Sequence, residues 1–559
     1  MNKLRNATMA CLRLGWFLLL LLLAFGYLAS GLSEPSEQGN GKREAKVVAT
    51  SLDDANAYSE TLARLEQVWS DRIEQKDMQP AEYADWLTVC RRMSLALVGN
   101  GLSLEEIREL EQIPESARES VHLKRLLQDT RYHNYWAERW ARYLVGTDGG
   151  EFVLYRRRRF RVWLSEVFAA NRPYDRMVRD LITAEGLWTD KPEVNFLTAT
   201  FDSNDGSADP VRLAARTSRA FLGLRIDCLQ CHNDFLGNVN LGDVDEPREG
   251  MQTDFHQLAA FYTSAKTSGL QGVKSGEVEY NYKYLDAEEE IAVEPSVPYL
   301  PELLPEEGDP RERLAAWVTH VDNRQAARAA VSHVWALMFG KPIGEAVDNL
   351  PLDEESGPLL EILADDFRHH GFDIQRLIRL IGASSAFRVA SRASFEITGK
   401  HEDAHAVFPL VRLRPEQMAG SLMQAARVKK TDRDSSLFVQ FQTFTGSNDF
   451  IKQYGDMGED EFSTDSVTIT QRLLMMNGNL TQELANTNPV LNTAGHVGMF
   501  ARDDDHAVEL IYLCSLNRYP SPEEKQHFVQ RLKETKKRDK VLQDIAWILM
   551  NSSEMAWNH

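Results

Sequence analysis

The chain is poor in cysteine and, for its length, poor in positive charge. Five cysteines in 559 residues are too few for a disulfide scaffold. The 83 Asp and Glu residues outnumber the 63 Lys and Arg residues, which gives a net charge of −20. This balance argues against a general nucleic-acid or anionic-membrane binder, because both need an excess of basic residues. No nucleophile elbow or phosphate-binding loop occurs, so the sequence alone assigns no reaction.

Long apolar runs are confined to the N-terminus. Lys3, Arg5 and Arg13 precede an apolar stretch over residues 14–29, and small residues follow at 29–31. This pattern predicts a signal peptide or an N-terminal membrane anchor over residues 1–33, with the N-terminus in the cytoplasm. Residues 34–50 are polar and predict a tether. The rest of the chain is therefore expected to be extracytoplasmic, either periplasmic or at the cell surface.

Apolar residues recur at helical spacing through most of the remaining sequence. The pattern predicts a mainly α fold, with two helical domains over residues 51–265 and 311–559 and at most short β-hairpins. Residues 266–310 are rich in proline, tyrosine and glutamate and predict an irregular linker. Cys90 and Cys514 lie in apolar helical patterns, which indicates buried free thiols.

Six arginines cluster in one part of this acidic chain. They are Arg156 to Arg159, Arg161 and Arg172. One interpretation is an anion site for haem propionates or a sulfated or carboxylated ligand. The other, which the sequence favours, is a solvated helix face paired with local acids.

The segment from Cys228 to His232 has the C-x-x-C-H spacing of c-type haem attachment. Two thiols about one turn apart can add to the two vinyl groups of one porphyrin, and the adjacent imidazole can ligate the iron. The sequence therefore predicts haem c on Cys228 and Cys231, with His232 as axial ligand. The nearest candidates for a sixth ligand are His256 and Met251. A helix beginning at Asp209 and Pro210 is predicted to run as far as the motif and deliver both cysteines.

Three other interpretations of the cysteine pair stay open. A thioredoxin-like pair would need a βαβ context, which the sequence does not show. A zinc half-site made by the two cysteines would need two more ligands, and His256 and Asp234 are the nearest candidates. The pair could also be purely structural.

Several stretches of the first half match a known pattern, at residues 91–99, 140–143, 171–179, 221–232 and 258–262. In these stretches the chain resembles large secreted proteins of planctomycetes that join two domains of unknown function, the first described as cytochrome-like. That family's usual pattern adds a second histidine two residues after the first. Asp234 stands at that position here, which makes a multi-ligand metal site less favoured than covalent haem.

The second half resembles the other domain of the same family, with matching stretches at 313–319, 331–340, 366–373 and 413–417. Its histidines are scattered, and the sequence assigns none of them to a metal site. Three functional hypotheses follow. The first is an exported haem protein with a redox partner, and the second is a haem-free binding scaffold or helper that handles polysaccharide. A hydrolase without a sequence signature is a third.

Overall fold

A computed structural model describes residues 52–146, 156–201, 208–234, 237, 239–241, 248–267, 272–276, 279–352, 357–431, 450–451, 453–454, 462, 469–477, 484 and 492–559. These residues confirm the predicted mainly α fold. The helices of the first half are α1 Leu52–Gln75, α2 Trp86–Val98, α3 Leu104–Glu111, α4 Glu115–Leu127, α5 Thr130–Val145, α6 Arg157–Ala169, α7 Tyr174–Ile182, α8 Asn195–Thr198, α9 Pro210–Leu222 and α10 Gln252–Ala260. Those of the second half are α11 Pro310–Val318, α12 Arg324–Phe339, α13 Pro358–His369, α14 Ile374–Ala383, α15 Ser385–Arg388, α16 Gly399–Asp403, α17 Pro415–Ala425, α18 Ile469–Asn477, α19 Thr493–Phe500, α20 Asp504–Leu516, α21 Pro522–Glu534 and α22 Arg538–Met550.

The strands of the described residues are short and pair two by two. They are β1 Ala265–Thr267, β2 Val273–Ser275, β3 Asn281–Tyr282, β4 Ile291–Ala292, β5 Val411–Arg412 and β6 Trp557–Asn558. The pairs β1–β2, β3–β4 and β5–β6 are all antiparallel. Four of the six strands fall within or at the edge of the predicted linker, where β3 places the ring of Tyr282 beside the cysteine motif.

Local sequence signals account for several helix starts. Ser103 caps α3 in a reciprocal capping box with Glu106. Asp209 caps α9 by accepting hydrogen bonds from the backbone N–H groups of Val211 and Arg212, and Pro210 occupies the first helical position. The predicted start of α9 is therefore confirmed.

The predicted end of α9 is wrong. The helix stops at Leu222, and Gly223 adopts a left-handed conformation with φ of 63°. A glycine at this position favours the helix stop because it has no Cβ to strain there. Ile226 fitted the helical spacing, but it is buried in the turn that follows. Cys228 thus lies on a separate 3₁₀ turn over Asp227–Gln230, and Cys231 directly follows that turn.

Helix α12 packs at the centre of the described fold. Every residue from Gln325 to Phe339 in this helix is buried. It contacts α2 and α9 from the first half and α13 and α14 from the second. The two halves consequently share one hydrophobic cluster that includes Trp140, Phe221 and Trp335, and burial in this shared core stabilises α9, the helix that precedes the motif.

Cys90 and Cys514 are buried free thiols, as predicted. The predicted N-terminal targeting segment, the tether and Cys11 lie outside the described residues. None of the helices in the described part of the chain is both long enough and apolar enough to cross a bilayer.

Candidate functional site

The cysteine motif lies on an exposed turn directly after α9. Cys228 and Cys231 are both exposed and both are free thiols. Partial burial raises the pKa of the Cys228 thiol, and the carboxylates of Asp234 and Asp227 add to this effect. The Cys228 thiol is therefore protonated at neutral pH. A catalytic cysteine differs in this respect, because electropositive surroundings lower its thiol pKa.

Hydrogen bonds from three side chains hold the back of this turn. The carbonyl oxygen of Gln230 accepts from Nε2 of His256 at 3.0 Å, from Nε2 of Gln252 at 3.1 Å and from the hydroxyl of Tyr282 at 3.1 Å. Leu229, between the two cysteines, is fully buried. The turn is thus fixed from inside the protein while both thiols remain exposed to solvent.

His256 has a structural role in this support. Because the Gln230 carbonyl can only accept, Nε2 of His256 carries the proton, and Nδ1 accepts from the hydroxyl of Tyr280 at 2.8 Å. The imidazole stacks on Tyr282 with ring centroids 3.4 Å apart. Burial lowers the pKa of His256, so the ring is neutral. For the predicted role as a metal ligand, His256 would have to give up its bond to Tyr280 or to Gln230.

His232 has a different environment. It is exposed, and its Nδ1 donates to the backbone carbonyl of Asn233 at 2.7 Å. This bond places the proton on Nδ1 and leaves the lone pair on Nε2. The tautomer therefore suits metal ligation through Nε2.

Asp234 closes the loop that follows the motif. Its side chain is buried and accepts from the backbone N–H of Val239, while its own N–H donates to the carbonyl of Gly250 at 3.0 Å. The backbone N–H of Gln252 donates to the side chain of Asn233 at 2.8 Å. These bonds hold Met251, whose side chain is exposed, next to the motif.

No convergence of metal ligands occurs among the described side chains, since no group of three or more His, Cys, Asp or Glu residues there could hold a metal ion. One motif was missed in the sequence: residues 401–405 have the His-Glu-x-x-His spacing of zinc metalloproteases. That motif needs both histidines on one helix face. Helix α16 ends at Asp403, and His405 has φ of 56° and packs edge-on against Trp335. The spacing therefore does not form a zinc site.

The predicted arginine cluster is largely neutralised by neighbouring groups. Arg157 and Arg161 both bind Glu138, at 2.9 and 3.4 Å, and Arg172 binds Asp180 at 2.7 Å. The interpretation as a helix face paired with local acids is confirmed for Arg157 and Arg161, whereas Arg172 pairs with Asp180 after the helix has ended.

A second group of arginines, which the sequence analysis did not single out, lines a cavity of about 580 Å³. Arg212, Arg216 and Arg219 of α9 contribute to it, and so do Arg225 and Asp227 of the segment leading to the cysteines. The sequence signal was their spacing of four and three residues, which aligns side chains along one helix face.

Together these features define a mainly helical protein with an exposed C-x-x-C-H turn on a rigid support. Residues 64–266 match the family model described as PSCyt2, a protein of unknown function (DUF1549), and residues 310–452 match the one described as PSD1, a protein of unknown function (DUF1553). The chain therefore carries two domains of unknown function in this order. No curated protein and no solved structure matches the chain.

Proposed function

We propose that this chain is an exported c-type haem protein that carries electrons or does haem-linked redox chemistry. Haem would be held by thioether bonds to Cys228 and Cys231, with Nε2 of His232 as an axial ligand. The observation that carries the proposal is the joint exposure of two free thiols and an adjacent imidazole on one fixed turn. The same arrangement is expected in the planctomycete secreted family that the sequence resembles.

The residues present fit covalent attachment. Each thiol would add its S–H bond across one vinyl group, forming a C–S bond and placing the proton on the other vinyl carbon, with no oxidant required. The raised pKa of the Cys228 thiol keeps that proton in place at neutral pH before attachment. When bound, haem supplies a one-electron redox couple.

The protein's own part is to fix the position of the attachment turn. The three hydrogen bonds to the Gln230 carbonyl resist movement of the backbone between the two cysteines. Met251 is a better candidate than His256 for a sixth ligand, because the Met251 side chain is exposed whereas both ring nitrogens of His256 are hydrogen-bonded. A redox partner would approach the exposed face of this turn.

The predicted export signal supports the proposal, because covalent haem attachment takes place outside the cytoplasm. The basic N-terminus and the apolar run over residues 14–29 are the basis for export, either with cleavage or with the segment kept as a membrane anchor. Fractionation of cells that produce the full chain would test this, and recovery of the whole protein in the cytoplasm would contradict it.

The visible spectrum tests haem directly. The full chain is produced in a host with haem-maturation machinery and examined by absorption and by the pyridine haemochrome assay. We expect a Soret band that survives acid-acetone extraction and is lost when Cys228→Ala and Cys231→Ala are combined. The matched control combines Cys90→Ala with Cys514→Ala, which removes two buried thiols and should leave the band. A folded, colourless protein, with zinc or with no metal by elemental analysis, would refute the proposal.

A further inference from the structure

The arginine-lined cavity has the size of a small-molecule site. Its volume of about 580 Å³ lies within the range of roughly 300–1,000 Å³ that is typical of such sites. Its walls come from the end of α5, from α9, from residues 225 and 227, and from residues 340–348 and 409–411. Neither Cys228 nor Cys231 is among the described residues that line it.

The described lining has an excess of positive charge. Six basic residues line the cavity against four acidic ones, although the whole chain has a net charge of −20. The basic residues are Arg142, Arg212, Arg216, Arg219, Arg225 and Lys341, and the acidic ones are Asp227, Glu345, Asp348 and Glu402. A concave surface with an excess of one sign concentrates ligands of the opposite sign.

Two of the acidic residues are already bound to basic neighbours. Asp348 accepts from Nε of Arg219 at 2.9 Å and from Nε of Arg225 at 2.8 Å. Glu402 binds Lys341 at 3.0 Å. Arg219 and Arg225 carry two positive charges against the single negative charge of Asp348, so this wall keeps a net positive charge.

The cavity also has an aromatic wall whose position is fixed. Tyr143 lines the cavity, and its ring stacks on His333 with centroids 3.7 Å apart and planes within 12°. His333 is buried, and neither of its ring nitrogens has a hydrogen-bond partner among the described residues. Arg139 and Arg414 are buried close enough to His333 to lower its pKa, after the larger effect of burial. The wall is therefore backed by two guanidiniums, of which Arg139 is paired with Glu416 and Arg414 adds to the positive potential.

Phe462 adds a second aromatic group to the lining, and its ring lies edge-on to His333 and over the guanidinium of Arg414. Leu410 adds an apolar side chain, more than half of which is exposed. The cavity thus combines guanidinium donors with apolar and aromatic faces.

We propose that this cavity binds a small organic anion whose carboxylate, sulfate or phosphate group contacts the arginines of α9 and whose ring or apolar body packs on Tyr143. Guanidinium groups present paired N–H donors that match these oxyanions, and the flat ring of Tyr143 gives the rest of the ligand a packing surface. The site is independent of haem and does not require the cysteines.

Calorimetric titration with four sugars of similar size tests the cavity. Glucuronate, glucose 6-sulfate and glucose 6-phosphate carry the three oxyanions, and glucose is the neutral control. At low ionic strength we expect at least one anionic sugar to bind about tenfold more tightly than glucose, with affinity falling as salt is added. Comparing the three anions then identifies the preferred oxyanion. If none of them binds more tightly than glucose, the proposal is wrong.

Variants of α9 locate the binding. Arg212→Gln removes one exposed lining charge and should weaken the preferred anion about tenfold, whereas Arg159→Gln removes an exposed arginine of α6 and should leave the affinity unchanged. Ala215→Trp should abolish binding by filling the cavity, with the circular dichroism spectrum and Tm showing that the variant is folded. Equal weakening by Arg212→Gln and Arg159→Gln would place the anion elsewhere and overturn the proposal.

The cysteines provide a separate control. The Cys228→Ala, Cys231→Ala double variant should keep its affinity for the anion even though it cannot hold haem. Loss of anion binding in this folded variant would mean that the cavity depends on haem, and it would contradict an independent site. A colourless wild-type protein that binds the anion would refute the haem proposal and leave the cavity proposal intact.

Discussion

Two arginine-rich regions of this protein use their charge in opposite ways. Arg156 to Arg159 are consecutive and only Phe160 separates them from Arg161, but successive residues of α6 point about 100° apart around the helix. Glu138 binds two of these arginines and the carbonyl of Gly146 accepts from one, so part of the charge is used within the fold. The three arginines of α9 are spread over eight residues, yet all three line one cavity.

The difference shows that the helical spacing of the arginines, more than their number in a segment, decides whether their charges act at one place. Arg212, Arg216 and Arg219 follow the helical period, so they lie on one face and add their charge at one place. Arg225 joins them only because α9 ends at Leu222 and the chain turns at Gly223. Asp348 binds two arginines and is the ion-pair centre of the cavity. Glu138 likewise binds two arginines and is the ion-pair centre of the α6 region.

The largest expected effect on the free energy of unfolding comes from removing Asp348, the ion-pair centre of the cavity. In Asp348→Ala, Arg219 and Arg225 lose the carboxylate that lies between them, whose side chain is only 9% exposed. We expect the free energy of unfolding to fall by about 3 kcal/mol, the lower end of the range for breaking a buried ion pair, because both arginines are partly exposed. Urea denaturation measures this. A loss below about 0.5 kcal/mol would show that the two arginines do not depend on Asp348.

A slightly smaller effect on the free energy of unfolding is expected from the protonation of His333, the histidine behind the cavity wall. Burial, followed by Arg139 and Arg414, lowers the pKa of His333 from 6.5 to about 3. The unfolded chain therefore takes up the proton first, and the stability that neutral His333 provides above pH 6.5 is lost as the pH falls. Between pH 7 and pH 5 this group should cost the protein about 2 kcal/mol.

His333→Phe isolates that contribution. Because neither ring nitrogen is hydrogen-bonded among the described residues, phenylalanine can fill the same space between Tyr143 and Trp140. We expect the pH dependence of the unfolding free energy to become shallower by about 2 kcal/mol over this range. Identical pH profiles for the wild type and the variant, measured by urea denaturation at several pH values, would show that His333 is not held neutral.

The parts of the structure that depend on neighbouring residues were predictable from the sequence. Ser103 and Glu106 form their capping box, and Asp209 with Pro210 starts α9, because such caps need only three or four consecutive residues. The end of α9 was missed because Ile226 continued the apolar spacing past Gly223. In physical terms, the left-handed Gly223 and its contact with Leu350 decided the helix end.

The candidate sites divide in the same way. Cys228, Cys231 and His232 were found because their chemistry lies within five residues. The sequence did not predict the hydrogen bonds of His256 or the arginine-lined cavity. The cavity combines Tyr143, Asp348 and Phe462, which are far apart in sequence and are brought together only by packing around α12.

A smaller effect is expected at the ion-pair centre of the α6 region. Glu138 is 29% exposed and binds Arg157 and Arg161. Burial alone would raise its pKa, but these arginines outweigh that effect and lower it below 4.5. Glu138→Gln should cost about 0.5–1 kcal/mol at pH 7, because the pairs are partly solvated. The difference between wild type and variant should disappear as the pH falls through the folded-state pKa of Glu138. A loss as large as that of Asp348→Ala would remove the contrast between the two regions.

The smallest effect is expected from one exposed arginine in each region. Arg159 of α6 and Arg212 of α9 are both solvent-exposed, so replacing either with glutamine should change the free energy of unfolding by less than about 0.5 kcal/mol. Matched stability matters because it makes their ligand binding comparable. If thermal denaturation gives equal Tm values while only Arg212→Gln weakens the anion, position on the cavity face is the cause. A large drop in Tm for Arg212→Gln alone would instead mean that this arginine supports the fold, and the two regions would differ in structural role rather than in ligand binding.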